Sequence, residues 1–149
     1  MKIIAHRGNT SGPSKFENSP ESINYALMLG FDVEIDIWCF NGSIYLGHDG
    51  PEYLVDKSFI LDIGHSGWFH CKNLNAINMF ADYFPNLNYF WHQSDDFTLT
   101  SEGFIWTYPG KEIGKNSIIV LPETVSEEDL SVMFLNKPYG ICTDWPHKY

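Results

Sequence analysis

The chain reads as an α/β protein with about seven parallel strands, on three observations. Short apolar runs rich in β-branched and aromatic residues recur along it, each too short for a free helix. Amphipathic segments with helix-capping residues separate several of these runs, and strand–helix alternation is the pattern of a parallel sheet. The composition is that of a folded chain: 44% of the 149 residues are hydrophobic, 16% aromatic and 19% charged. That excludes a disordered, collagenous or coiled-coil chain. The length suits one domain over residues 1–149, burying roughly 68–70% of its unfolded surface.

The first strand is expected over Lys2–Ala5. A helix follows over Pro20–Leu29, with Ser19 as N-cap, Pro20 at the first helical position, Glu21 in the first turn and Gly30 at its end. Val33–Phe40 is the second strand, and Asn41-Gly42 then turns the chain back through Ser43–Gly47 toward His48-Asp49. A plain two-residue turn pairs Phe40 with Ser43 and Asp36 with Gly47. His48 then reaches the acidic face of the strand only if a bulge at Gly42 shifts the register or if it lies beyond the pairing.

Further strands are expected at Trp68–Cys71, Tyr89–His92, Phe104–Thr107, Ile118–Leu121 and Gly140–Thr143. Helices are expected at Leu74–Phe84, between the Asn73 cap and Pro85, and at Glu127–Leu135, after Ser126 and with acids in its first turn. Ser94–Gly103 holds little helix and Gly110–Asn116 none. A full (β/α)₈ barrel normally takes about 250 residues and at least about 200. Either the sheet is open or a barrel has been pared down.

Nine basic residues against 19 acidic ones give a net charge of −10, which repels nucleic acid and anionic membrane surfaces. Arg7 is the only arginine, so any planar, two-pronged grip on an anion belongs to it. Cys39, Cys71 and Cys142 sit in apolar runs and read as buried thiols, not as a disulfide framework. MKIIAHRG is too short an apolar stretch for a signal peptide, and no apolar run reaches 18 residues. A cytoplasmic protein without stable membrane association is expected.

Chemistry concentrates around the second strand. In Asp32-Val33-Glu34-Ile35-Asp36-Ile37 the period of two places three carboxylates on one face and three β-branched residues on the other. Carboxylates lining a buried face repel one another and lose hydration unless a cation or protons neutralise them. A hard divalent ion such as Mg²⁺ or Ca²⁺ answers that need; an edge strand with one solvated face is the plainer alternative. His6 and Arg7 end the first strand, before the loop Gly8–Glu17, where parallel-sheet proteins present their chemistry. Trp91, Trp106 and Trp145 read first as core fillers, with a stacking wall as the lesser role. His65 and His147 read as surface residues. His92 and Glu123 are spare ligands or substrate contacts.

His6-Arg7-Gly8, Glu17-Asn18-Ser19-Pro20-Glu21-Ser22, Glu34-x-Asp36, Gly47-His48-Asp49 and Gly140-Ile141-Cys142-Thr143-Asp144-x-Pro146 resemble, in order and spacing, the glycerophosphodiester phosphodiesterases. The likeness is dense over residues 1–49 and returns at 140–146. It implies a TIM-barrel-like fold, here compact or incomplete, and metal-dependent hydrolysis of a soluble small-molecule phosphodiester, either glycerophosphodiester-like or a phosphosaccharide. Glu34 and Asp36 would hold the divalent metal, Arg7 the phosphate, and His6 and His48 would shuttle protons, with Glu17 in support.

Where that family carries a glutamate two residues before a lysine, this chain reads His70-Cys71-Lys72. On a strand His70 and Lys72 share one face, so His70 takes the third ligand position and Lys72 faces a phosphate oxygen. A histidine there makes a transition metal a candidate beside Mg²⁺ and Ca²⁺. The segment that shapes the family's glycerol site is reduced to Gly50–Gly67. The rival reading is a catalytically weakened phosphoester-binding protein of the same fold.

Overall fold

In the computed structural model, which describes residues 1–149, the apolar runs form strands and the capped segments form helices. The strands are β1 (Lys2–Ala5), β2 (Asp32–Phe40), β3 (Ser43–Leu46), β4 (Tyr53–Val55), β5 (Gly67–Cys71), β6 (Asn88–Phe90), β7 (Phe97–Leu99), β8 (Ile105–Thr107), β9 (Ser117–Val120) and β10 (Gly140–Thr143). The helices are α1 (Pro20–Met28), α2 (Lys57–Ile63), α3 (Leu74–Tyr83) and α4 (Glu127–Leu135). Side-chain caps start all four: Ser19, Asp56, Asn73 and Ser126 each accept from a backbone N–H one turn on.

Seven strands run parallel, in the sheet order β6-β5-β2-β1-β10-β9-β8. They are the seven that the sequence predicts. The sheet curls into an incomplete TIM-barrel-like fold whose interior is filled by Ile4, Trp68, Phe90, Trp106, Ile118, Val120 and Cys142. β6 and β8 do not pair across the opening. Instead Phe90 packs on Trp106 with ring centroids 4.6 Å apart, and β7 runs antiparallel to β8. Ser101 N–H donates to the Tyr89 carbonyl (2.9 Å) and Thr98 Oγ1 to that of Trp91 (2.8 Å), which ties the seam together.

Outside the barrel, Val33, Ile35 and Ile37 of β2 lie in one buried cluster with Ile23 and Ala26 of α1 and Ala76, Met79 and Phe80 of α3. Burying a side chain of this kind is worth about 1.5–3 kcal/mol. A one-residue slip of β2 would exchange the three β-branched residues for three carboxylates, so the apolar face fixes the direction of the acidic one.

The β2–β3 hairpin pairs Phe40 with Ser43 and Ile37 with Leu46. Asn41 and Gly42 both adopt positive φ (50° and 78°), as a tight two-residue turn requires, so no bulge forms. β3 ends at Leu46, and His48 lies beyond the pairing, the second of the two alternatives left by the sequence. Gly47 (φ 145°) is obligatory here: a Cβ would run into the Gly50 carbonyl.

Strand ends shift by one or two residues: β2 and β5 begin one residue earlier than expected, and β8 one residue later. β6 stops at Phe90 and leaves Trp91 and His92 in the following loop, while Leu121 turns into a left-handed conformation (φ 48°) after β9. α2, β4 and β7 are additions that the sequence reading passes over. Each is at most seven residues long, too short for hydrophobic periodicity to declare itself. All three cysteines are free and buried, as expected. No helix is long and apolar enough to cross a membrane.

Candidate active site

β1 runs directly into a tight turn at His6-Arg7-Gly8, with Arg7 held at φ 52°. The turn points the Arg7 backbone N–H at Glu34 Oε2 (3.1 Å) and buries the His6 ring. His6 Nδ1 donates to Asp144 Oδ1 at 2.8 Å, which leaves Nε2 turned toward the mouth, 4.0 Å from Glu34 Oε2. Asp144 is itself fixed. Its backbone N–H donates to Glu123 Oε1 (2.8 Å), Thr143 Oγ1 donates to Glu123 Oε2 (2.9 Å), and Asn9 Nδ2 donates to Asp144 Oδ1 (2.8 Å).

Glu34, Asp36 and His70 come together as the pleat predicts. Each offers one ligand atom, and the three atoms lie within 4.8 Å of one another. His70 Nδ1 is 3.1 Å from Asp36 Oδ1 and 3.7 Å from Glu34 Oε1. The other ring nitrogen, Nε2, donates to the His92 carbonyl at 2.7 Å, so Nδ1 is the atom left for the carboxylates or for a metal. Asp36 Oδ1 is buried and makes no well-directed hydrogen bond, although Lys72 Nζ lies 3.4 Å away. A buried, underused carboxylate oxygen beside a second carboxylate and a tautomer-fixed imidazole suits a divalent cation.

The second oxygen of Asp36 is crowded. Asn18, held at φ 60°, clamps the residue twice: its Nδ2 donates to Oδ2 and its Oδ1 accepts from the Asp36 N–H, both at 2.9 Å. His48 Nδ1 approaches Oδ2 at 3.2 Å and Arg7 Nε at 3.3 Å. The Arg7 guanidinium donates to Glu17 Oε2 (2.9 Å) and, through Nη2, to His48 Nε2 (3.2 Å). Since arginine can only donate, His48 Nε2 accepts and Nδ1 carries the proton toward Asp36.

These contacts set the charges. Burial pushes the Asp36 carboxyl up, but the hydrogen bond from His48, the approach of His70 Nδ1 and the charges of His70 and Lys72 hold it well below the carboxylate range. Burial pushes His70 down, and the close carboxylates of Asp36 and Glu34 overcome that, raising it to about 9. His6 is raised in the same way: burial opposes, while the Asp144 hydrogen bond and the Glu34 charge prevail. Asp144 is lowered, its burial outweighed by His6.

Every site residue expected from the sequence (His6, Arg7, Glu17, Glu34, Asp36, His48, His70 and Lys72) therefore meets at the C-terminal mouth of the barrel. Asn9, Asn18 and Asp144 are supporting residues without an assigned role in that reading. Glu123 orients Asp144 and is no spare ligand. His92 lends a carbonyl, and its ring Nε2 donates to the Asp95 carbonyl (2.6 Å). Trp106 fills the core, Trp91 is exposed, and His65 and His147 lie on the surface. Two hollows open at the mouth, of about 390 and 290 Å³, and share His48, His70, His92 and Gln93. A larger hollow of about 880 Å³ lies at the opposite end around Lys2, Asp32, Lys115 and Lys137, away from these groups.

No family model matches the chain, and no curated protein matches it in sequence. Among solved structures, it is similar to the crystal structure of a putative glycerophosphodiester phosphodiesterase from Galdieria sulphuraria. The identity is 12% and the TM-score 0.49, over 98% of this chain and 94% of that one. A likeness at that level says nothing about substrate, and the functional reading rests on the side chains at the mouth.

Proposed function

We propose that the chain is a metal-dependent phosphodiesterase acting on small, soluble phosphodiesters. The observation that carries this reading is the convergence on one N,O,O ligand cluster of two histidines, each with Nδ1 held by an aspartate, one with Nε2 facing Glu34 and the other with Nε2 on the only arginine. Glu34, Asp36 and His70 would hold the divalent cation, which when bound would neutralise phosphoryl oxygens and polarise phosphorus. Mg²⁺ and Ca²⁺ suit the two carboxylates, while the imidazole favours a transition ion such as Mn²⁺ or Zn²⁺.

Arg7 and Lys72 complete the anion site. When Arg7 swings onto a phosphoryl oxygen it releases the Nε2 lone pair of His48, which then takes the proton of the attacking water. Asp36 holds Nδ1–H and steadies the imidazolium that forms. His6, between Asp144 and Glu34, is kept protonated and gives its proton to the departing alcohol. The net charge of −10 keeps polyanions such as nucleic acid and anionic bilayers away, leaving small diesters as the substrate class and the cytoplasm as the proposed setting.

Turnover of bis-(p-nitrophenyl) phosphate tests the reading. Activity should vanish in EDTA and return with a divalent ion, and His6→Ala or His48→Ala should each lose on the order of 10²–10⁴-fold in rate. Metal-dependent phosphate binding with no turnover would refute it and leave a phosphoester-binding protein instead.

A further inference from the structure

The two hollows at the mouth differ in chemistry. The one of about 390 Å³ lies between Trp38 and Trp91, with Asp49, Lys72 and Gln93 at its sides. That volume is within the usual range for small-molecule clefts, about 300–1,000 Å³. Trp38 is a fixed wall, its indole N–H donating to the Gly47 carbonyl at 2.7 Å. Trp91 is 37% exposed and its indole N–H has no partner. Its loop is nonetheless tied down through its own carbonyl, which accepts from Thr98 Oγ1 (2.8 Å), and through the His92–Asp95 bond (2.6 Å). An exposed indole on a tethered loop, with its polar atom free, is arranged for a ligand that stacks on it.

The neighbouring hollow, about 290 Å³, contains His6, Arg7 and Glu34 and is walled beyond them by Trp106, Tyr108, Pro109, Val120 and Leu121, and of the two hollows it alone receives His6. From this asymmetry we infer that the substrate is an unsymmetrical diester whose cyclic polyol or saccharide half sits between Trp38 and Trp91, and whose less polar alcohol leaves from the His6 side. The inference rests on the phosphodiesterase reading above and names its substrate class.

The polar groups decide between a polyol and a cationic headgroup. Lys72 offers N–H donors, the Trp91 indole one more, Asp49 offers acceptor oxygens and Gln93 both kinds. Vicinal hydroxyls use donors and acceptors together. A quaternary ammonium could use no donor and would lie beside the Lys72 charge, although it too favours aromatic walls. In the reaction the bond from phosphorus to the alcohol on the His6 side breaks. Water supplies the new oxygen on phosphorus, its proton passes to His48, and the His6 proton goes to the departing oxygen. The products are a polyol monophosphate and a free alcohol.

Calorimetric titration with Mn²⁺ present tests this with four probes: glucose 1-phosphate, myo-inositol 1-phosphate, phosphocholine and inorganic phosphate. At least one of the two cyclic polyol phosphates should bind about tenfold more tightly than inorganic phosphate, the margin an aromatic contact supplies, and more tightly than phosphocholine. Trp91→Ala should erase that margin while leaving inorganic phosphate within about twofold, and Trp91→Phe should keep most of it. Because Trp91 is exposed, neither variant removes core packing. Phosphocholine binding as tightly as both polyol phosphates, or a Trp91→Ala loss shared equally by all probes, would overturn the inference. Discrimination without any turnover of bis-(p-nitrophenyl) phosphate would support the subsite and refute the phosphodiesterase reading. Turnover without discrimination would do the reverse.

Discussion

In the metal-free protein His70 should act as the resident cation of the acidic strand, with a measurable effect on stability. Its folded-state value of about 9 lies above the ordinary 6.5, because Asp36 and Glu34 outweigh burial. The proton is thus held more tightly in the folded chain than in the unfolded one. The resulting stabilisation is complete below pH 6.5 and is lost as pH rises through 9. A rise of about 2.5 units at roughly 1.4 kcal/mol each amounts to on the order of 3 kcal/mol. Urea unfolding in EDTA at intervals from pH 6 to 10, on wild type and His70→Gln, isolates it. The difference in stability should shrink by that amount across the interval, while His6, raised in both proteins, cancels. A difference that stays flat from pH 6 to 10 would refute the ion pair and the charge assignment of the site.

Four further outcomes follow from the same contacts. A metal that takes His70 Nδ1 must displace its proton, so apparent Mn²⁺ or Zn²⁺ affinity should rise about tenfold per pH unit up to pH 9, with proton release seen by calorimetry in buffers of different ionisation enthalpy. His70→Glu should shift preference toward Mg²⁺ and Ca²⁺ and flatten that dependence. Asp144→Asn should cost on the order of 10²–10⁴-fold in rate and move the alkaline limb of the pH–rate profile to lower pH, since the Asp144 hydrogen bond raises His6. Asn18→Ala removes both clamps on buried Asp36 and should cost about 2–4 kcal/mol in chemical unfolding, with weaker metal binding.

What the sequence displays of the site is what lies within one element. The pleat of β2 orders Glu34 and Asp36 on a face opposite Val33, Ile35 and Ile37, and the pleat of β5 carries His70 to the same interior as Lys72. Asp144 could not be matched to His6 in that way, because 138 residues separate them. Their meeting depends on β10 lying against β1 in the register that pairs Ala5 with Thr143. The next residue of each strand, His6 on one and Asp144 on the other, then emerges side by side at the same rim. Once the last strand is placed beside the first, as in a closed barrel, that register becomes the missing signal. Asn18 was hidden for a different reason: its left-handed backbone and double clamp on Asp36 are properties of a loop, where neither periodicity nor capping rules operate.

The position of the seam explains how so short a barrel keeps a complete site. His6, Glu34, Asp36, His70 and Asp144 are carried on β1, β2, β5 and β10 or at their ends, which are adjacent in the sheet order β5-β2-β1-β10. Parallel ladders therefore hold these residues in register on both sides of β1 and β2, where an error of an ångström would separate ligand from ligand. The opening falls between β6 and β8, which lend the mouth only walls such as Trp106 and the Trp91 loop. There the lost ladder is replaced by aromatic packing of Phe90 on Trp106 and by the antiparallel β7, both tolerant of imprecise geometry. Shortening is thus confined to the arc that the proposed function gives to substrate contacts, and the arc that carries the candidate ligands and proton donors is left fully paired. The seam is also where the walls of the two hollows diverge. The proposed function thus assigns substrate selection to the seam, and the ligand and proton-transfer residues to the fully paired arc.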